Sequence, residues 1–242
     1  MRSNILLTFF ISLATTALSQ PEQSEPRGNI IKINIGSIAV KNIALQYERV
    51  VGKKTSVALG VRFQPNGKVP FQSWLKDQVN DPDIQVGQMQ IGNFALTPEF
   101  RFYFGKEVSK GLYLAPYVRY ASYQMETPVS YTGTGTTRTA IFKGNIKSFS
   151  GGLLLGNQFS LGENFVLDLW ILGAHFGSSN GQLDFVEPLT PSEQADLRST
   201  LDQVDIPFFN IEHSIHSNGG TITSKGAWAG FRGLAVNLGW RF

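Results

Sequence analysis

Cysteine is absent from all 242 residues of the chain. This absence excludes disulfides, thiolate metal sites and an acylated lipoprotein cysteine. Charged residues are also scarce, at 16% against the roughly 25% of an ordinary soluble domain. After the first twenty residues, no apolar run approaches the roughly 18 residues that a membrane-spanning helix needs. The net charge of +3, without any Lys/Arg-rich cluster, gives no indication of nucleic-acid binding.

The N-terminus has the pattern of a cleaved export signal. Arg2 precedes an apolar core, and the small residues Ala17 and Ser19 stand two apart at its end. We therefore expect residues 1–19 to be a signal peptide and residues 20–28 to be a flexible leader. Residues 29–242 then form one exported domain.

From residue 29 onward, apolar and polar residues alternate, which predicts β-strands. The terminal strand places Leu238, Trp240 and Phe242 on one face and Asn237 and Gly239 on the other. The alternation predicts about eight strands, at 30–37, 42–51, 56–63, 94–104, 112–123, 145–161, 164–176 and 234–242. Their polar faces are poor in Lys and Glu and rich in Gly, Ala, Ser and Tyr, which suits a narrow barrel lumen better than a solvated surface.

The lengths of the connections support this interpretation. Short turns follow the second, fourth and sixth strands, whereas long segments follow the third, fifth and seventh, at 65–87, 126–142 and 177–225. This alternation is typical of transmembrane barrels with both termini in the periplasm. We therefore predict an eight-stranded antiparallel up-and-down transmembrane β-barrel. Pro98 and Pro116 on the apolar faces strain the prediction, because proline deletes a ladder hydrogen bond.

The C-terminal GWRF, the signal peptide and the hairpin IALQYERVVGKKTSVALGVRF together resemble the small outer-membrane β-barrels of Bacteroidetes, within the OmpA/OmpX-like superfamily. The resemblance implies an outer-membrane location and recognition of Phe242 by the barrel-assembly machinery. It carries no activity with it. The alternative fold is a soluble small-ligand-binding β-barrel, whose apolar faces would point inward.

Seven charged residues fall on the predicted lumen face, and we expect them to form a salt-bridged plug. They are Lys32, Glu48, Arg62, Glu99, Arg101, Arg119 and Asp168. The interior of an eight-stranded barrel is just wide enough for side chains to fill it, and charges buried there must be paired. A conduit for protons or small ions is the alternative. Arg232 continues the apolar phase of the terminal strand, so we expect it at the outer interface, near lipid headgroups.

The tract IEHSIHSNGG, residues 211–220, holds a second set of candidate residues: Glu212, His213, His216 and Ser217. It resembles the His-x-Ser-Asn pattern of outer-membrane lipid A deacylases, but here His216 and Ser217 are adjacent. No Asp or Glu follows Ser217 to orient the histidine. The sequence therefore favours an exposed loop over an acyl hydrolase or a metal site, and no cofactor is expected.

The last long connection is predicted to carry one short helix within residues 187–205. Thr190 and Glu193 have the spacing of a capping box around Pro191, and Leu197 and Leu201 begin an apolar stripe. The Gly/Thr-rich tract 131–139 is predicted to be a flexible outer loop. We expect a non-enzymatic role, structural or in surface interaction, with outer-membrane lipid around the apolar face and the outer loops as contact surfaces for an extracellular partner.

Overall fold

A computed structural model of the chain describes residues 28–70, 72, 86–107, 109–133, 136–204 and 206–242. The predicted signal peptide, nearly all of the predicted leader and most of the predicted loop 65–87 lie outside the described residues. The elements are β1 (Asn29–Asn34), α1 (Ile35–Ala39), β2 (Ile43–Val50), β3 (Thr55–Lys68), a 3₁₀ turn (Val86–Gln88), β4 (Gln90–Tyr103), β5 (Gly111–Gly133), β6 (Thr136–Leu161), β7 (Phe165–Val186), α2 (Pro191–Asp202), β8 (Phe209–His216) and β9 (Gly219–Arg241).

Eight of these strands form a closed antiparallel ring. Strands β1 to β7 pair in sequence order, β7 pairs with β9, and β9 pairs with β1. The ring closes through five residue pairs, from Ile30 with Arg241 to Asn34 with Asn237. The predicted up-and-down barrel of eight strands is confirmed. The ninth strand, β8, is an addition that pairs with the outer part of β9.

The predicted orientation of the two strand faces is also confirmed. Lys32 and Glu48 point inward and are 1% and 0% exposed, whereas Leu238 and Trp240 point outward and are 41% and 51% exposed. The same alternation runs along β4, where Phe94, Leu96, Phe100 and Phe102 are exposed. A soluble ligand-binding barrel would need its apolar faces to point inward, and here they point outward.

Four strands run far beyond their predicted ends. Strands β5, β6, β7 and β9 contain 22 to 26 residues each, so most of the range 126–142 and large parts of 177–225 are strand, and their prediction as loops is wrong. The tracts 131–139 and 211–220 were likewise predicted as loops and are largely strand. These extensions carry Ser, Thr, Asn and Gly on both faces, so hydrophobic alternation does not detect them, yet their backbones pair.

The first strand is shorter than predicted, because β1 ends at Asn34 and α1 follows. The Asn34 side chain caps this helix by accepting from the Ser37 amide at 2.8 Å, and the Ser37 hydroxyl donates to the Asn34 carbonyl at 2.8 Å. The helix predicted in 187–205 is confirmed as α2, with the capping box of Thr190 and Glu193 present. Among the described residues, no helix has both the length and the apolar character needed to cross a membrane.

Both prolines lie where one ladder is interrupted. Strands β4 and β5 pair at Leu96 with Tyr120 and again at Glu99 with Tyr117, so that Pro98 falls in a gap. Pro116 falls in the next gap of the same ladder, while it pairs with Leu153 on its β6 side. The β4–β5 ladder is therefore interrupted at both prolines, in keeping with their missing N–H groups.

A bulge changes the phase of β7 and β9 at the same level. Ile171 and its neighbour Leu172 both face outward, and the β6–β7 register shifts beside them. On β9, Leu234 has a positive φ of 50° and is 96% exposed, and the adjacent Gly233 is exposed as well. Beyond these positions, the inward and outward residues exchange places in both strands.

This phase change corrects the prediction for Arg232. The residue lies in the lumen and is 8% exposed, while Phe231 beside it is 84% exposed on the outside. Its prediction as a residue of the outer lipid interface is wrong, because the bulge at Leu234 reverses the faces above it. His175 on β7 turns toward the lumen for the same reason.

Candidate functional site

The lower half of the lumen contains a buried ionic network centred on Lys32. The Lys32 Nζ donates to Glu48 Oε2 at 2.5 Å, to Asp168 Oδ2 at 2.7 Å and to Gln158 Oε1 at 2.5 Å. The four side chains come from β1, β2, β7 and β6. Every one of them is at most 1% exposed, so the network links the first two strands to β6 and β7 across a lumen that solvent does not reach at this level.

Arg101 on β4 is the second cation of the network. Its guanidinium donates to Asp168 at 2.8 Å, to Glu48 at 3.2 Å and to Glu99 at 3.0 Å. Glu99 in turn accepts from Arg232 Nη2 at 2.8 Å. Among the described residues, the network therefore contains three cations and three carboxylates, and its charges balance.

Two tyrosines complete the layer around these ions. The Tyr103 hydroxyl donates to Glu48 Oε1 at 2.6 Å, and the Tyr113 hydroxyl donates to Asp168 Oδ1 at 2.7 Å. The Arg101 guanidinium lies 4.4 Å from the centroid of the Tyr113 ring. Gly156 on β6 makes room for this ring, because a Cβ there would lie 2.3 Å from Tyr113 Cζ. The layer is thus filled by side chains, as expected for a barrel of this size.

The structure brings five of the seven predicted lumen residues together and places the other two higher. Arg62 and Arg119 line a cavity of about 410 Å³ in the upper lumen, together with Arg232 and His175. The Arg119 Nη1 donates to Thr97 Oγ1 at 3.0 Å. The Tyr117 hydroxyl lies 3.2 Å from His175 Nδ1. The upper lumen is consequently rich in hydrogen-bond donors and positive charge.

Several members of the site are not among the seven predicted lumen residues: Gln46, Ser56, Gln158, Tyr103, Tyr113 and Arg232. The sequence does contain a signal for the inward position of Arg232. If the alternation continued unbroken from the terminal strand, the neighbouring Phe231 would face the polar lumen and Arg232 would face outward. An apolar and a charged residue exchanging faces indicates a bulge. Of the uncharged members, Gln46, Ser56, Tyr103 and Tyr113 alternate with outward apolar residues, which places them on the lumen face, but nothing in the sequence shows which ionic group each of them contacts.

The second set of candidate residues lies on or beside β8 and is not assembled into one site. The His213 Nε2 lies 2.9 Å from Asp202 Oδ1 of α2, whereas the His216 Nε2 lies 2.9 Å from the Ser214 hydroxyl. Glu212 is exposed on the same strand. Ser217 is in the following turn, where its carbonyl accepts from the Leu189 amide at 2.8 Å. Within the described part of the chain, no group of three His, Asp or Glu side chains is arranged to hold a metal ion.

Helix α2 is attached to the extended strands by arginines. Arg138 of β6 pairs with Glu193 of the helix and with Glu187 at 3.5 Å, and Arg198 of the helix donates to the Ile215 carbonyl of β8 at 2.5 Å. Hydrogen bonds from the Thr190 amide and hydroxyl, followed by those from Arg138, hold the pKa of Glu193 below its ordinary value of 4.5. The ionised Glu193 therefore both caps helix α2 and attaches it to β6 through Arg138.

Comparison with known proteins gives a family but no activity. No curated protein matches the sequence. Among solved structures, the N-terminal β-barrel domain of OprF from Pseudomonas aeruginosa is similar at 11% identity and a TM-score of 0.31, covering 90% of this chain and 100% of that chain. Similarity at that level carries no functional argument. The model of the family described as protein of unknown function, DUF3575, matches residues 5–180, which is well over half of the sequence. The chain therefore belongs to the DUF3575 family.

Proposed function

We propose that this protein is an integral outer-membrane β-barrel, closed to solutes, that acts without catalysis through the part extending beyond the membrane. The observation that carries the proposal is the contrast between the two sides of the ring. The outer side is an apolar belt, and the inner side is a filled layer of paired ions. This contrast between an apolar outer side and an ionic inner side fits a barrel that is surrounded by hydrocarbon.

The height of the belt fits the membrane core. On β4 and the residue after it, exposed phenylalanines run from Phe94 to Phe104. Ten residue steps at about 3.3 Å span about 33 Å along the strand. A tilt of roughly 40° reduces this to about 25 Å along the barrel axis, the height of the apolar band of outer-membrane barrels.

Water is an unfavourable environment for the same surface. Soluble monomers seldom expose contiguous apolar patches larger than about 600 Å². Here apolar side chains point outward from every strand of the ring, for example Ile31, Leu45, Leu59, Val118, Leu153, Leu167 and Val236. The ring closes between β1 and β9 from Ile30 with Arg241 to Asn34 with Asn237, so these two strands have no unpaired edge along that stretch, as β-structure in lipid requires.

Export and assembly form part of the proposal. The predicted signal peptide, residues 1–19, supports export to the periplasm of a Gram-negative cell. Phe242 supports recognition by the barrel-assembly machinery, as in the Bacteroidetes barrels that the sequence resembles. Its amide donates to the Asn29 carbonyl at 2.9 Å and its ring stacks on Trp240 with centroids 5.1 Å apart. The aromatic side chain is 41% exposed on the outer face.

The outer extension supports a role in envelope structure or surface interaction. Strand β5 has 23 residues, or about 75 Å at 3.3 Å per residue, whereas a tilted strand crosses the hydrocarbon in about 9–11 residues. Roughly half of the longest strands, together with β8 and α2, therefore project beyond the membrane. Within the described residues, no carboxylate bonds to His216, so the Ser214–His216 pair lacks the third member of a hydrolytic triad.

Cell fractionation tests the location. We expect the protein in the outer-membrane fraction, soluble only with detergent, and protease added to intact cells should cut α2 while sparing the turn at Lys53. Disrupted cells serve as the control in which both become accessible. A compact particle that dissolves without detergent would contradict the proposal.

Planar bilayers test the closed lumen. Protein reconstituted into them should show little conductance, because the ion layer around Lys32 and Arg101 fills the lumen. A refolded porin of similar size, prepared in the same detergent, is the positive control. A steady open state of large conductance would contradict the filled layer and leave the location untouched.

A further inference from the structure

The upper lumen holds more positive charge than its neighbours neutralise. The charges of the lower network are balanced. Glu99 neutralises Arg232 there, and Glu48 and Asp168 neutralise Lys32 and Arg101. Arg62 and Arg119 are left over, and neither makes an ion pair among the described residues. Arg119 is 5% exposed. An uncompensated buried charge costs several kcal/mol, so this cavity favours an anion.

Unused hydrogen-bond donors line the same cavity. Within the described part of the chain, Arg232 Nε and Nη1 and Trp170 Nε1 are buried and have no hydrogen-bond partner. Both residues are more than nine-tenths buried, and both line the cavity. One acceptor, Asn42 Oδ1, is also without a partner. The surplus of donors complements a group with several acceptor oxygens.

The cavity reaches the outer surface of the barrel through a gap in the wall. Among the described residues, β9 pairs with β1 only from Asn237 onward and with β8 only as far as Gly226. The intervening edge of β9 faces α1, whose Gly36 and Ser37 line the cavity. Phe231 and Leu234, which are 84% and 96% exposed on the outside, line it as well.

We propose that this arginine cavity, lined by Arg62, Arg119 and Arg232, is a binding site for a phosphate-type oxyanion. Planar guanidinium groups bind phosphate through paired hydrogen bonds, which is the chemistry that the unused donors supply. The volume of about 410 Å³ exceeds that of a single phosphate, and Tyr123 and Trp228, with ring centroids 5.5 Å apart, line it too. The phosphate therefore belongs to a larger molecule, either a soluble phosphate ester or a lipid headgroup that enters through the gap beside α1.

The first experiment measures phosphate binding in detergent micelles. Inorganic phosphate is titrated at constant ionic strength against chloride, with the fluorescence of Trp170 and Trp228 as the signal. We expect a saturable response that Arg62→Gln and Arg119→Gln each weaken by about tenfold or more, because each removes a charge-assisted contact. Arg49→Gln is the matched control, since Arg49 is exposed at the opposite end of the barrel. No saturable response, or equal affinity in the cavity variants and the control, would overturn the proposal.

A second arm identifies the source of the phosphate. The titration is repeated in nanodiscs of phosphatidylcholine with and without lipid A, which carries phosphate monoesters. A headgroup that occupies the site should weaken phosphate binding to the unmodified protein severalfold, and equal affinity in both nanodiscs assigns the site to a soluble phosphate. This proposal goes beyond the proposed function, and because its first test runs in detergent, its failure leaves the membrane location standing.

Discussion

The buried network makes a quantitative prediction for Asp168→Asn. Asp168 accepts from Lys32 at 2.7 Å, from Arg101 at 2.8 Å and from Tyr113 at 2.7 Å, and it is fully buried. Asparagine has nearly the same shape, so the substitution creates no cavity; it removes the charge and replaces one acceptor oxygen with an NH₂ group that cannot accept from Lys32, Arg101 or Tyr113. Three cations then face two carboxylates. Breaking a buried ion pair in this way costs about 3–5 kcal/mol, and we expect the free energy of unfolding to fall by that amount.

A double-mutant cycle separates charge balance from other effects. Lys32→Met alone leaves three carboxylates facing two cations, whereas Asp168→Asn combined with Lys32→Met restores two of each. We therefore expect the double variant to cost at least about 1 kcal/mol less than the sum of the two single variants. The measurement is urea unfolding in detergent micelles, followed by tryptophan fluorescence.

The exposed pair of Lys110 and Glu107 provides the control. Lys110 Nζ lies 3.2 Å from Glu107 Oε2, and the two side chains are 52% and 69% exposed. An exposed ion pair of this kind contributes at most about 1 kcal/mol to stability. Lys110→Met should therefore change stability little. The reasoning is refuted if Asp168→Asn costs no more than this control and the two lumen substitutions are additive, because the lumen would then be hydrated and open.

Three further predictions concern the rest of the barrel. Because the pKa of Glu193 is lowered, its contribution to α2 is fully present above pH 4.5 and is lost as the pH falls through the lower folded value. The protection factors of the α2 amides, which correct for the slower intrinsic exchange in acid, should therefore fall as the pH is lowered, and Glu193→Gln, which keeps a capping side chain, should remove that pH dependence. Gly156→Ala should destabilise the barrel by about 1–3 kcal/mol in urea unfolding, because Tyr113 is held by Asp168 and has no room to move. Gly67→Ala, whose added Cβ meets nothing nearer than 3.9 Å, should be nearly neutral. Phe242→Ala should reduce the amount inserted in the outer membrane of cells while leaving refolding in detergent almost unchanged, and equal defects in both assays would assign the residue a structural role.

The fold could be predicted because the strands that cross the apolar belt obey a two-residue period. Leu238 and Trp240 alternate with Asn237 and Gly239, and that pattern fixes both the strand and its orientation. The helix α2 could be predicted for a different reason, since Thr190, Pro191 and Glu193 satisfy a local capping rule. Both signals are carried by neighbours in sequence, so neither requires knowledge of the tertiary structure.

The rest could not be predicted because it depends on contacts between distant residues. The outer halves of β5, β6, β7 and β9 carry Ser, Thr, Asn and Gly on both faces beside a few apolar residues such as Phe142 and Phe185, so only pairing with their partners shows that they are strands. The position of Arg232 depends on a bulge at Leu234 that exists in register with another bulge at Ile171. The cavity lined by Arg62 and Arg119 depends on both bulges, because they turn Arg232 and His175 toward the lumen. Without the bulges, Arg62 and Arg119 belong to a single near-neutral set with Lys32 and Arg101.

The wide separation of Lys32, Arg101 and Asp168 along the chain has a consequence for biogenesis. An intermediate that lacked β1 would leave Arg101 and Asp168 without Lys32 and would expose a strand edge to acyl chains. In the membrane location proposed above, a ring that has not yet closed would therefore bring unmatched ions and an unpaired edge into the bilayer. We therefore expect insertion and closure to be coupled, because the pairing of β1 with β9 brings Lys32 into the buried network and balances its three carboxylates with three cations.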